Sequence, residues 1–276
     1  MLQPQTLCQN SRNAAVLAQI RMMSLAISEL IWITLLGTIS GLMIGCIGIG
    51  GVILVPALVF LADIPIEVAI PAAMLAYILS GLVATTVFAR NKSIHWGMAI
   101  GLCIGATPAA FVGAWAVSVC DRVLLEACLG LLTFFSGLNS LRTQKIVEVA
   151  DTRVSNRVLL TVGGVTGFLS SLTGTGGPLV LVPIMISMSV PVLTAVGLSQ
   201  AIQLPVAIAA TVGNVLYGKL DLTLGGVLAA SLTVGSWYGA KLAHAVPRAV
   251  LRGIVSAVLV LIGAFILANV GWRLVG

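Results

Sequence analysis

The chain has 276 residues, of which 59% are hydrophobic and only 8% charged. A soluble domain carries about 25% charged residues, so this composition excludes a water-soluble globular domain and indicates an integral membrane protein with little mass outside the bilayer. The net charge of +6 is scattered through short loops, which reads as the bias that orients a membrane protein and not as a nucleic-acid-binding surface. The five cysteines have no CxxC spacing and there are only two histidines, His95 and His244. No metal site and no cofactor is expected, and the cysteines in apolar runs read as small core residues.

Residues 1–29 are polar, then mixed, and read as a tail or short interfacial helix. From Leu30 to Ala62 the chain is almost uninterruptedly apolar. A straight helix of that length would measure about 50 Å, against a hydrocarbon core of about 30 Å. The run must tilt strongly, break or turn back, and Gly45, Gly48, Gly50 and Gly51 place the break at Ile47 to Gly51. Each glycine costs a helix about 1 kcal/mol relative to alanine. At membrane depth, irregular backbone persists only where protein buries it or it lines a wet cavity. A short Asp63-Ile64-Pro65 loop follows, with Pro65 suited to start a helix. Three further spans are expected at Ile66–Ala89, where Pro71 should introduce a kink, Gly97–Val119 and Val123–Leu141. Gly105, Ala109 and Gly113 are spaced four apart, which allows close helix approach. Trp32, Trp96 and Asn139 suit span ends. The polar stretch Arg142 to Arg157 is the central connector. Spans at Val158–Val190, Val192–Tyr217, Leu222–Ala243 and Ala249–Val270 complete the chain.

The second half repeats the first at a constant offset of 126. Gly41 pairs with Gly167, Gly48 with Gly174, Gly50 with Gly176 and Gly51 with Gly177. Pro65 likewise pairs with Pro191, Thr107 with Thr233, Gly113 with Gly239 and Arg122 with Arg248. Apolar helices share leucines by chance, but not turn glycines and loop prolines in register. The expected fold is an all-α polytopic membrane protein of two homologous four-helix repeats. It has about eight long spans, each repeat opening with a Gly-broken or re-entrant helix. The divisions are residues 1–29, a first repeat at 30–142, a connector at 143–157 and a second repeat at 158–276. The Lys/Arg distribution barely separates parallel from inverted repeats. The length of the two long apolar runs favours a turn-back, and hence inversion. Duplication of this kind is typical of secondary transporters, whose site lies between the repeats.

GLMIGCIGIGGVILVPAL, followed by a proline-led helix, and then GFLSSLTGTGGPLVLVP resemble the TauE/SafE sulfite-exporter family over about residues 30–270. The glycine runs, GIGG and GTGG, are shorter than the common pattern. The resemblance implies outward movement of small sulfur-containing anions such as sulfite, thiosulfate or sulfonates. It also implies a bilayer location, expected to be the inner (plasma) membrane of a bacterium; an oligomer is compatible with it.

No charged residue lies deep in the long runs, so a small anion would meet backbone N–H groups instead. Helix N-termini carry about half a positive charge and bind anions readily, and glycine permits close approach. Gly48, Gly50, Gly51, Gly174, Gly176 and Gly177 are the backbone candidates; tight helix packing is their alternative role. Ser199, Gln200 and Gln203 make the second helix of the second repeat the more polar one. Gln200 and Gln203 share a face at i and i+3, with Met74 and Tyr77 at the equivalent positions of the first repeat. Tyr77 could donate a hydrogen bond; interhelical glue is the alternative role for these side chains. The acidic residues fall at span ends or in loops, so no carboxylate is expected to shuttle protons. A permease or channel for another small solute is the alternative. An intramembrane protease would need a serine and a histidine at membrane depth, and both histidines lie in or beside loops, so no enzyme is expected.

Overall fold

In the computed structural model, residues 30–45, 51–141, 154–242 and 248–275 are described; Gly48, Gly50 and most of the central connector lie outside them. The described residues form ten helices and no strand. They are α1 (Leu30–Gly45), α2 (Gly51–Leu61), α3 (Ile66–Arg90), α4 (Trp96–Val119), α5 (Arg122–Leu141), α6 (Asn156–Thr173), α7 (Pro178–Ser187), α8 (Val192–Tyr217), α9 (Leu222–Leu242) and α10 (Arg248–Val275).

The second glycine cluster acts on helix length as the sequence suggests. The second long apolar run divides into α6 and α7. Gly174 ends α6 in the left-handed region at φ 69°, the usual glycine device for closing a helix. Gly177, at φ 113°, precedes α7, whose first residue is Pro178, a position that suits proline because no N–H is needed there. α2, with 11 residues, is about 16 Å long, half of a hydrocarbon core of about 30 Å. In the first run, the expected break at Ile47 to Gly51 lies, apart from Gly51, outside the described residues. Three described segments are long and apolar enough to cross a membrane, namely α3, α4 and Thr194–Tyr217 of α8. α1, α2, α7 and Val260–Trp272 of α10 are shorter apolar helices. α3 runs continuously through Pro71.

Corresponding turns share their geometry. Pro65 and Pro191 precede α3 and α8 with φ, ψ of −55°, 136° and −54°, 138°. Outside glycine, the left-handed region is occupied at Asp63, Lys92 and Ser189; Asp63 and Ser189 stand in equivalent turns, after α2 and α7.

The packing interleaves early and late parts of the chain. α1 lies on α9 through glycines: Gly41 faces the Leu232 backbone, and Gly235 and Gly239 face the carbonyls of Thr38 and Leu42. α6 lies on α4 in the same way, with Gly163 and Gly167 against the carbonyls of Leu102 and Ala106, and Gly105 against that of Leu160. Small residues on both sides permit this approach. α3 packs on both α8 and α9, α4 on α8, and α5 on α10. A core of Leu54, Leu58, Ile70, Met74 and Tyr77 is fully buried, while Ile100, Ile104, Trp115, Phe135 and Val215 are exposed, as lipid-facing residues should be. Trp32 and Trp96 are exposed as well, in keeping with places at span ends.

Candidate functional site

The turn between α6 and α7, Gly174-Thr175-Gly176-Gly177, is wholly buried and is wedged between α3 and α8. On one side lies Tyr77: a Cβ on Gly176 would stand 3.2 Å from its ring. On the other lies α8: a Cβ on Gly177 would stand 3.6 Å from Ile202 and 3.8 Å from the Ser199 carbonyl. The start of α2 closes the group. A Cβ on Gly51 would come within 2.7 Å of the Thr175 carbonyl and 3.0 Å of the Tyr77 hydroxyl. That hydroxyl donates to the Gly51 carbonyl at 2.9 Å. The first described residue of α2 and the N-terminus of α7 therefore meet beside one tyrosine.

The turn's hydrogen bonds leave donors over. The N–H groups of Gly174 and Thr175 both donate to the Ser170 carbonyl. Val180 and Leu181 donate to the Gly177 carbonyl. Among the described residues, the N–H groups of Gly176, Gly177 and Leu179 have no acceptor, and Pro178 has no N–H to offer. Buried backbone donors are nearly always paired, so three free ones within four residues at the front of a helix are chemically suited to an anion.

Side chains extend this polar pocket. The hydroxyls of Thr173 and Thr175 lie 3.1 Å apart, and Thr173 also donates to the Leu169 carbonyl. On α8, Ser199 donates back to Val196 at 2.7 Å. Both polar atoms of the Gln200 side chain, and Oε1 of Gln203, are buried without a partner. The backbone at Gln200 is fixed by Thr85, whose hydroxyl donates to its carbonyl at 2.9 Å. Gln203 lies against Gly81, one helical turn beyond Tyr77. An unpaired buried amide costs about 1–3 kcal/mol, a cost that a bound solute would offset.

The pattern that defines the sulfite exporter TauE/SafE family matches residues 33–266. The chain belongs to this family. A Methanocaldococcus jannaschii protein described as a probable membrane transporter is 25% identical over 250 residues, covering 84% of this chain and 93% of its own. Two Bacillus subtilis proteins carry the same description. YunE is 25% identical, with 84% and 94% covered, and YdhB is 28% identical, with 77% and 89% covered. No solved structure matches the chain.

In this TauE/SafE protein, Gly51, Tyr77, Gly176, Gly177 and Ser199 of the sequence candidates come together directly. Gln200 and Gln203 line the neighbouring stretch of α8. Gly174 differs in role: it caps α6, and a Cβ there would meet Val55 at 2.7 Å. Gly48 and Gly50 lie outside the described residues. Sequence reasoning missed Thr173 and Thr175. Their signal was the alternation Thr-Gly-Thr-Gly-Gly, where the first copy has Ile47-Gly-Ile49-Gly-Gly. Membership in a transporter family points away from an enzyme, and His95, beside α4, is exposed.

Proposed function

We propose that this protein is a secondary transporter of small sulfur-containing anions. The anion is held by the free N–H groups of Gly176, Gly177 and Leu179 and by the carboxamides of Gln200 and Gln203. The observation that carries this reading is the set of unpaired buried donors at the front of α7, with no buried free cation among the described residues. Helix starts at Ile66 and Val192, and at Trp96 and Leu222, keep the sequence offset of 126. The first helix of each half also lies on the fourth helix of the other. Both features support two repeats related by a two-fold axis with the site between them; an inverted relation, which the length of the two apolar runs favours, would serve alternating access. A direct test is uptake of labelled sulfite into liposomes holding the purified protein, with Gln200→Leu alongside. The expected result is saturable uptake that the substitution lowers by about tenfold or more, the size of losing a hydrogen bond to an ion. Absence of sulfite uptake, with saturable uptake of a different solute, would replace this reading with that of a permease for that solute.

A further inference from the structure

The proposed anion site has a charge balance of its own. Among the described residues, Glu126 is the only charged side chain that is buried, and it is engaged by Arg122 at 2.7 Å. The other buried polar side chains, from Tyr77 to Asn214, are neutral. Fixed positive charge at the site therefore comes from backbone dipoles. The N-terminus of α7 opens there, with Gly177 as its cap, and Gly51, the first described residue of α2, touches Thr175 just ahead of it. That helix end supplies the equivalent of about half a positive charge.

Resting on the transporter reading above, we infer that the site admits singly charged oxyanions and rejects dianions, so that each turnover moves one net negative charge. Burying an ion costs in proportion to the square of its charge, so a dianion costs about four times as much to desolvate as a monoanion of the same size. Neutral donors and a helix dipole worth about half a charge go far towards offsetting the first ion and fall well short for the second. The carboxamides narrow the class further. Oε1 of Gln200 and Oε1 of Gln203 are buried acceptors without a donor. An acid oxyanion such as hydrogensulfite carries an O–H group that can satisfy one of them, while the N–H groups hold its charged oxygens. A dianion carries no donor, so it can meet the carboxamides only through their N–H groups and leaves both acceptors unpaired. The preferred substrate is thus a monoanion with one remaining acidic hydrogen, and a sulfonate, which has the charge but no donor, ranks second.

The experiment uses the full-length protein in liposomes, with methanesulfonate, sulfite, sulfate and thiosulfate as probes under one imposed potential. Sulfite changes between monoanion and dianion near neutrality, whereas methanesulfonate keeps its charge. The inference expects sulfite uptake to rise from mildly alkaline to mildly acidic pH in step with the monoanion, while methanesulfonate uptake stays level. The membrane potential that just balances a given substrate gradient should be twice that for a divalent ion. Gln200→Leu, or Gln203→Met should the first fail to fold, should erase the preference for hydrogensulfite over methanesulfonate. Sulfate or thiosulfate uptake as fast as that of the monoanions, or a balancing potential that fits two charges, would overturn the inference and leave the transporter reading standing. If well-folded protein moves none of the four anions, both fall together.

Discussion

Gly177 holds φ at 113°, a conformation that a side chain rarely adopts, yet a Cβ there would meet only ordinary contacts at 3.6 Å and beyond. Gly177→Ala should therefore strain the turn that presents the amides without disrupting the surrounding helices. Backbone strain of this kind costs about 1–3 kcal/mol. We expect a monodisperse protein whose sulfite flux in liposomes falls by about tenfold, because the amides no longer point at the ion; normal flux would return the turn to a packing role. Gly51 is a poorer probe than the sequence suggests. Gly51→Leu should fail in packing as well as in transport, since even a Cβ would press on the Thr175 carbonyl at 2.7 Å. Tyr77→Phe removes only the hydroxyl that donates to the Gly51 carbonyl. The expected cost is about 1 kcal/mol, read as a lower unfolding temperature in detergent.

Helix pairs test the glycines of the second kind. A methyl on Gly167 would run into the Ala106 carbonyl, whereas Gly226 has nothing within 4 Å. Gly167→Ala should separate α4 from α6 and cut the yield of folded protein, measured by size-exclusion chromatography of solubilised membranes. Gly226→Ala should leave yield unchanged or raise it, because alanine is the better helix former by about 1 kcal/mol. Element starts were legible in the sequence because prolines and glycines announce themselves: Pro65 and Pro191 stand just before α3 and α8, and the second glycine cluster separates α6 from α7. Their partners were not. Nothing in Gly41 or Gly235 says that α1 will lie on α9, since a small-residue face fits any other small-residue face. At the site, the glycines and glutamines stood out against an apolar background. Thr173 and Thr175 did not, since threonine in an apolar helix commonly bonds its own backbone, as Thr173 does with Leu169.

Orientation and energy source are properties of the whole molecule. If the halves are inverted, Asp63 and Ser189, which occupy equivalent left-handed turns, face opposite sides of the membrane. Single cysteines placed there should react with an impermeant maleimide from opposite sides of sealed vesicles; reaction of both from one side would make the repeats parallel. Acidic residues bear on the driving force. Glu67 is half-buried in the first turn of α3. Glu126 is more deeply buried than its place near a helix start suggests, and it pairs with Arg122, which is 45% exposed. Glu126→Gln should lower stability by about 1 kcal/mol, since a half-exposed arginine is readily resolvated. Flux driven by an imposed potential, worth about 2.3 kcal/mol per charge per 100 mV, should survive both Glu67→Gln and Glu126→Gln without a pH gradient. A strict requirement for a pH gradient, lost on either substitution, would show that a carboxylate carries the proton.

The lodging of α1 against α9 has a consequence for how the protein is made. Thr38 meets Gly235, so α1 leaves the ribosome nearly two hundred residues before its seat in α9 exists. At about 5–20 residues per second, that wait is on the order of ten seconds or more. During it, the glycine face of α1, broken by Thr34 and Thr38 whose hydroxyls bond back to Leu30 and Thr34, must rest against lipid, the insertion machinery or a borrowed neighbour. A nascent chain arrested just before Leu222 should therefore leave α1 open to cross-linking with the insertase, and release of the arrest should close it.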